Sequence, residues 1–184
     1  MTSPTSRTFV PKVSMISTSF PQMAPLEEFW LPSKVHLLKV KWFFQNEYAI
    51  SISFTSQLNE DTWILTTVYA PCTYKGKREF LNRFQAIQMP EEVSWLIVGD
   101  FNLIRRPEDR NREGGDIQEM FLFNEAIGSL GLIEIPLHGR RFTWTNKQTE
   151  PLLERFDWFF SLASWTLKYP NTTAKSLTMV TSDH

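Results

Sequence analysis

The run Trp95-Leu96-Ile97-Val98, stopped by Gly99, constrains the fold more than any other stretch of the chain. Four consecutive large apolar residues with no alternation suit a strand covered on both faces, which requires packed layers on either side of a sheet. The residues after Gly99 then fall at the carboxyl edge of that strand, where ligands of α/β sheets tend to sit. The chain of 184 residues fits one domain with a real core. Aromatic content of 14%, mainly 15 Phe and 7 Trp, suggests packed sheet faces. The single Cys72 excludes an intrachain disulfide framework and fits a reducing compartment.

Around this strand the patterning is mixed. Ile50, Ile52 and Phe54 alternate with Ser51, Ser53 and Thr55, the signature of a strand with one wet face. Asn59-Glu60-Asp61 is a turn, and Trp63 to Tyr69 is the return strand of a hairpin. Phe80, Leu81, Phe84 and Ile87 mark a helix face ending at Pro90. Met120, Phe123, Ile127 and Leu130 mark a second, with Gly131 as its C-cap. Between them, Arg105 to Gly115 is charged and glycine-terminated, a surface loop. Leu132–Ile135, Arg141–Thr145, Arg155–Phe160 and Lys175–Val180 are further strand candidates, with a short helix or turn over Ser161–Tyr169. Strands and helices mix without strict βαβ alternation, which favours an α/β (α+β) layered sandwich of two mixed sheets flanked by helices. Residues 1–33 form a separate leader, rich in Ser, Thr and Pro with no acid before Glu27, either disordered or resembling an organellar transit peptide. The domain proper spans 34–184.

Chemistry concentrates in a few short motifs. In Gly99-Asp100-Phe101-Asn102, an extended backbone would point Asp100 and Asn102 one way and Phe101 into the core. That places a base or metal-facing carboxylate beside an amide able to donate to a phosphate oxygen. The competing reading is an ordinary turn, since Gly, Asp and Asn are turn residues. Asp157 lies in the apolar stretch Phe156 to Phe160 and must be paired, by His184 or by an arginine. Ser182-Asp183-His184 combines an oxygen ligand for Mg2+ with an imidazole able to contact a phosphoryl oxygen, or is a solvated tail.

Taken in order, Val68-Tyr69-Ala70-Pro71-Cys72, Gly99 to Asn102, Phe142-Thr143-Trp144-Thr145-Asn146, Arg155 to Phe159 and Ser182 to His184 resemble the endonuclease/exonuclease/phosphatase superfamily. The resemblance is to the apurinic-endonuclease-like domain of plant LINE-type retrotransposons, over about Lys34 to His184. It implies Mg2+-dependent (or Mn2+-dependent) phosphodiester hydrolysis, nicking DNA. Asp100 would activate or position the attacking water, Asn102 would orient the phosphate, and Tyr69 and Thr143 would contact the phosphate region. Asp157 would pair with His184, and Asp183 would hold the metal. The family's nuclear location would follow.

The departures from that pattern are Ala70 for the usual Gly, Trp158 for the usual Arg, and no counterpart of the early Asn and metal-binding Glu. The expectation is a domain incomplete at both ends with impaired activity. The alternatives are a catalytically inactive nucleic-acid-binding remnant, or a phosphoesterase acting on a lipid or inositol phosphate. A net charge of -1 gives no global case for nucleic acid. A local one exists: Arg105, Arg106, Arg140 and Arg141 flank the motifs and could form a rim that neutralises phosphates, or a loop neutralised by its own acids. No apolar run approaches the roughly 20 residues that span a bilayer, and no membrane partner is expected.

Overall fold

The computed structural model describes residues 16–17, 38–88 and 93–176. Its centre is a six-stranded mixed sheet in the order β2-β3-β4-β5-β10-β6. The strands are β2 (Leu38–Gln45), β3 (Ala49–Ser56), β4 (Thr62–Tyr69), β5 (Ser94–Asp100), β6 (Ile133–Glu134) and β10 (Asp157–Ser161). β4 and β5 run parallel, joined through helix α1 (Tyr74–Gln85), and every other neighbouring pair is antiparallel. A smaller sheet has the order β1-β11-β7, from Ile16–Ser17, Thr173–Lys175 and Leu137–His138. The hairpin of β8 (Trp144–Thr145) and β9 (Leu153–Glu154) forms a third.

Both faces of β5 are covered, as the unbroken apolar run demands. Ile97 and Trp95 face α1 and α2 (Ile117–Ser129), packing with Phe80, Phe84, Phe123 and Ile127. Leu96 and Val98 face the other way, onto Ile135, Phe159, Trp165 of α3 (Ala163–Lys168) and Ala174 of β11. The result is the layered α/β sandwich of mixed sheets and helices that the patterning indicates. Thr73 caps α1 by accepting from the Gly76 amide, and Asp116 caps α2 by accepting from the Gln118 and Glu119 amides. Gly131, at φ 62°, ends α2 in the left-handed conformation.

Four expectations are revised. Ser51, read as lying on a wet face, is buried, because its face of the sheet is covered by the core around Ala49, Ile64 and Trp95. Its hydroxyl and the Trp95 indole Nε1 both meet Thr66 Oγ1 at 2.7 Å. Thr66→Val therefore leaves a buried indole N–H and a hydroxyl without a partner. We expect a loss of about 2 kcal/mol, read as a lower urea midpoint with an unchanged denaturant slope. Second, β2 is a strand the patterning missed. Third, the candidate strand Arg141–Thr145 contracts to Trp144–Thr145, since the Arg141 guanidinium turns away to donate to the Glu108 carbonyl. Fourth, the Arg105–Gly115 loop is anchored: it contains a 3-10 turn over Pro107–Asp109 and buries Asp109, whose Oδ2 accepts from the Arg105 and Arg106 amides.

Within the leader, Ile16 and Ser17 pair antiparallel with Ala174 and Thr173, adding two residues to the smaller sheet. The last strand among the described residues is Thr173–Lys175. The rest of the Lys175–Val180 candidate, Pro90 as a helix end, and Ser182, Asp183 and His184 lie outside the described residues. Among the described residues no helix is long and apolar enough to cross a membrane.

Candidate active site

Strand register builds the site. Tyr69 at the end of β4 is the Cα partner of Asp100 at the end of β5. Asp100 in turn is the partner of Asp157 at the start of β10. Partners across neighbouring strands project from the same face, so Tyr69, Asp100 and Asp157 form one row at a single end of the sheet. Tyr69 is 54% exposed, and both carboxylates are half-buried.

The backbone around this row is closely specified. Gly99 has φ 146°, and a Cβ there would stand 2.0 Å from the Val68 carbonyl oxygen on the neighbouring strand. Gly99→Ala is expected to cost about 3 kcal/mol or more by forcing β4 and β5 apart, measured by chemical denaturation. Phe101 is completely buried, as the extended reading requires. Asn102 does not continue the strand, however. It takes φ 50°, and its amide N–H donates to Asp100 Oδ1 at 2.9 Å. Its side-chain Nδ2 donates to the Ala70 carbonyl at 2.6 Å. The turn reading is met: the turn fixes Asp100, and the amide group's second N–H remains as a donor.

Thr143 comes to Asp157 from the irregular segment before β8. Its Oγ1 accepts from the Phe156 and Asp157 amides, both at 3.0 Å, so it buttresses the strand start and keeps its own proton to donate. The Phe101 amide donates to the Phe156 carbonyl at 2.8 Å, closing the two segments together. Sequence reasoning missed the aromatic wall beside this point: Trp144, 41% exposed, lies with its ring centroid 5.6 Å from that of Phe156. It also missed a cavity of about 160 Å³ on the Asn102 side, lined by Lys77, Ile104, Glu119, Glu154 and Phe156 among others. Lys77 and Glu119 are paired there at 2.8 Å across the two helices. Nothing in the local patterning marks Lys77, Ile104, Glu119 and Glu154, because they converge only through tertiary packing.

The arginines divide. Arg105 is committed to the protein, with Nη1 on Glu134 at 2.5 Å and Nε on Asn124 at 2.9 Å. Burial pulls its guanidinium below the ordinary range, against the opposing influence of Glu134. Arg106 is 59% exposed in its side chain and 3.6 Å from the same carboxylate. Arg140 and Arg141 are exposed, and Arg141 stitches its segment to the Glu108 carbonyl. Among the described residues there is no group of three or more His, Cys, Asp or Glu placed to hold a metal ion.

No protein-family model matches the chain, and no curated protein matches it. Among solved structures, it is similar to the endonuclease domain of TRAS1, a telomere-specific non-LTR retrotransposon. That match has a TM-score of 0.54 and 15% identity, covering 81% of this chain and 67% of that domain. Two further matches are the human Nocturnin catalytic domain and a mannosyl-6-phosphatase of Bacteroides thetaiotaomicron. Each has a TM-score of 0.39 and 12% identity, and the chain covers 48% and 52% of them. The chain shares its mixed α/β fold with that endonuclease domain.

Proposed function

We propose that this domain is a divalent-metal-dependent phosphodiesterase of retrotransposon origin whose substrate is DNA. The observation that carries the reading is the row Tyr69–Asp100–Asp157, brought together from three strands by register. The ordered motifs and the likeness of fold to the TRAS1 endonuclease domain support it. The plant LINE wording of the motifs favours DNA over a phosphorylated lipid or sugar.

Two facing half-buried carboxylates are oxygen donors that repel one another without a cation, a set suited to Mg2+ or Mn2+. Asp183 would hold the ion beside them, and the ion would supply stabilisation of charge developing on phosphoryl oxygen. The chain's own residues do the rest. Asp100, oriented by the Asn102 amide, takes the proton of the attacking water. The remaining N–H of Asn102, the Thr143 hydroxyl and the Tyr69 phenol orient the phosphate. As the motif resemblance implies, Asp157 would pair with His184 and orient its imidazole toward the phosphoryl group. The exposed Arg106, Arg140 and Arg141 meet the flanking backbone phosphates, while Arg105 anchors the segment that carries Arg106.

The test is conversion of supercoiled plasmid to open circles by folded 1–184 protein with Mg2+, beside Asp183→Ala and an EDTA control. We expect nicking that EDTA and Asp183→Ala both abolish. Plasmid retention without nicking would replace this reading with an inactive nucleic-acid-binding remnant. Hydrolysis of a soluble inositol phosphate but not of plasmid would assign a different phosphoester substrate.

A further inference from the structure

The loop that leaves Asn102 and the segment that enters Asp157 converge on one carboxylate, Glu134 of the edge strand β6. Its Oε2 accepts from Arg105 Nη1 at 2.5 Å, and its Oε1 lies 2.9 Å from Arg155 Nη2. The three side chains are only 13–19% exposed. Arg105 follows Asn102 by three residues, and Arg155 precedes Asp157 by two. Between the arms stands Trp158, fully buried, with the Arg155 guanidinium 4.0 Å and the Arg105 guanidinium 5.5 Å from its ring centroid. The Trp158 indole Nε1 donates to the Leu103 carbonyl at 2.8 Å, tying the residue after Asp157 to the residue after Asn102. Asn124 of α2 holds the Arg105 side chain and backbone at once.

We infer that Glu134 is a positioning residue of the proposed site: its two oxygens clamp, one each, the arms that carry Asp100-Asn102 and Asp157. A carboxylate can do this where an amide cannot. Both contacts join opposite charges, at 2.5 and 2.9 Å, and neither guanidinium can lose its proton to relieve a missing partner. With Glu134 absent, two half-buried cations stacked on one indole repel, and the arms part at the Phe101–Phe156 backbone bond. The inference rests on the proposed phosphodiesterase reading for its consequence, but not for its structural readout.

The experiment is amide hydrogen exchange on folded Glu134→Gln and wild-type protein, with plasmid nicking measured alongside. We expect exchange at Phe101 and Asp157 to quicken by about tenfold or more, while amides of the β3–β4 ladder change little. Nicking falls through kcat with KM nearly constant. Uniform quickening across the sheet would make Glu134 a general stability residue and overturn the inference, as would unchanged protection at Phe101 and Asp157. Glu134→Asp keeps the charge but draws it back by one methylene. It gives the same selective pattern in milder form, and it serves if Glu134→Gln does not fold. A wild-type protein that does not nick, yet shows the selective exchange, sinks the phosphodiesterase reading and leaves the clamp standing.

Discussion

Asp100→Asn is expected to lower Mg2+-dependent nicking by on the order of 10³-fold, the scale of losing a positioned general base, with little change in stability. The substitution is close to isosteric. The side-chain oxygen of Asn can still accept from the Asn102 amide, so the turn at φ 50° survives. What disappears is the negative charge and the ability to take a proton. Because Asp157 faces Asp100 across the β5–β10 pair, removing one charge also relieves a like-charge contact, and without added cation the variant's Tm does not fall. Initial rates of open-circle formation, with Tm measured on the same samples, check both halves. A rate within threefold of wild type from folded protein would remove Asp100 from the proposed chemistry.

Phe101→Ala has the largest expected effect on stability. The ring is 0% exposed and sits among Phe80, Phe84, Phe123 and Phe160, with centroids 6.0, 5.7, 5.3 and 5.5 Å away. It joins both helices to the central sheet, so no single neighbour can relax to fill the space. Truncation is expected to cost about 3–5 kcal/mol, a large share of the roughly 5–15 kcal/mol that holds a typical domain. For a chain of this size that lowers Tm by about 10 °C. Phe101→Leu, which keeps most of the apolar volume, is expected to lose about 1–2 kcal/mol. Urea denaturation of the three proteins gives the comparison, and equal midpoints for Ala and Leu would contradict this account of the packing. Since Phe101 lies between Asp100 and Asn102, the alanine variant should also lose nicking before it unfolds.

Local patterning carried the interior of this fold well and its edges poorly. The uninterrupted run Trp95–Val98 is enough to require cover on both sides, and both covers exist. β2 escaped notice because Trp42-Phe43-Phe44 breaks the period-two alternation where the strand bulges against β3, between Trp42 and Phe44. Ser51 misled because a polar residue in an alternating strand signals water only when no layer lies beyond it. Here Thr66 supplies Ser51 with the hydrogen bond that water would have given, and itself accepts from the Trp95 indole. At the site, Asp100 and Asn102 are visible as a motif, yet their turn and their neighbour Asp157 depend on pairing between distant segments. Arg105 resembles a rim cation for the same reason: Glu134, which holds it, is 29 residues further on.

The pairing of Asp157 with Asp100 has a consequence for how such a domain can change over generations. The two acids are held by ladder position, so their spacing along the chain is immaterial to where they meet. Insertions or deletions in the exposed tip at 147–150 would alter what the hairpin presents outward while leaving the acids where they are. A shift of β10 by one residue is another matter. It would carry Asp157 to the opposite face of the sheet and bring Trp158 out of the core in its place. The fold thus leaves the outward surface of the hairpin free to diversify and forbids drift in the one register on which the row of side chains depends.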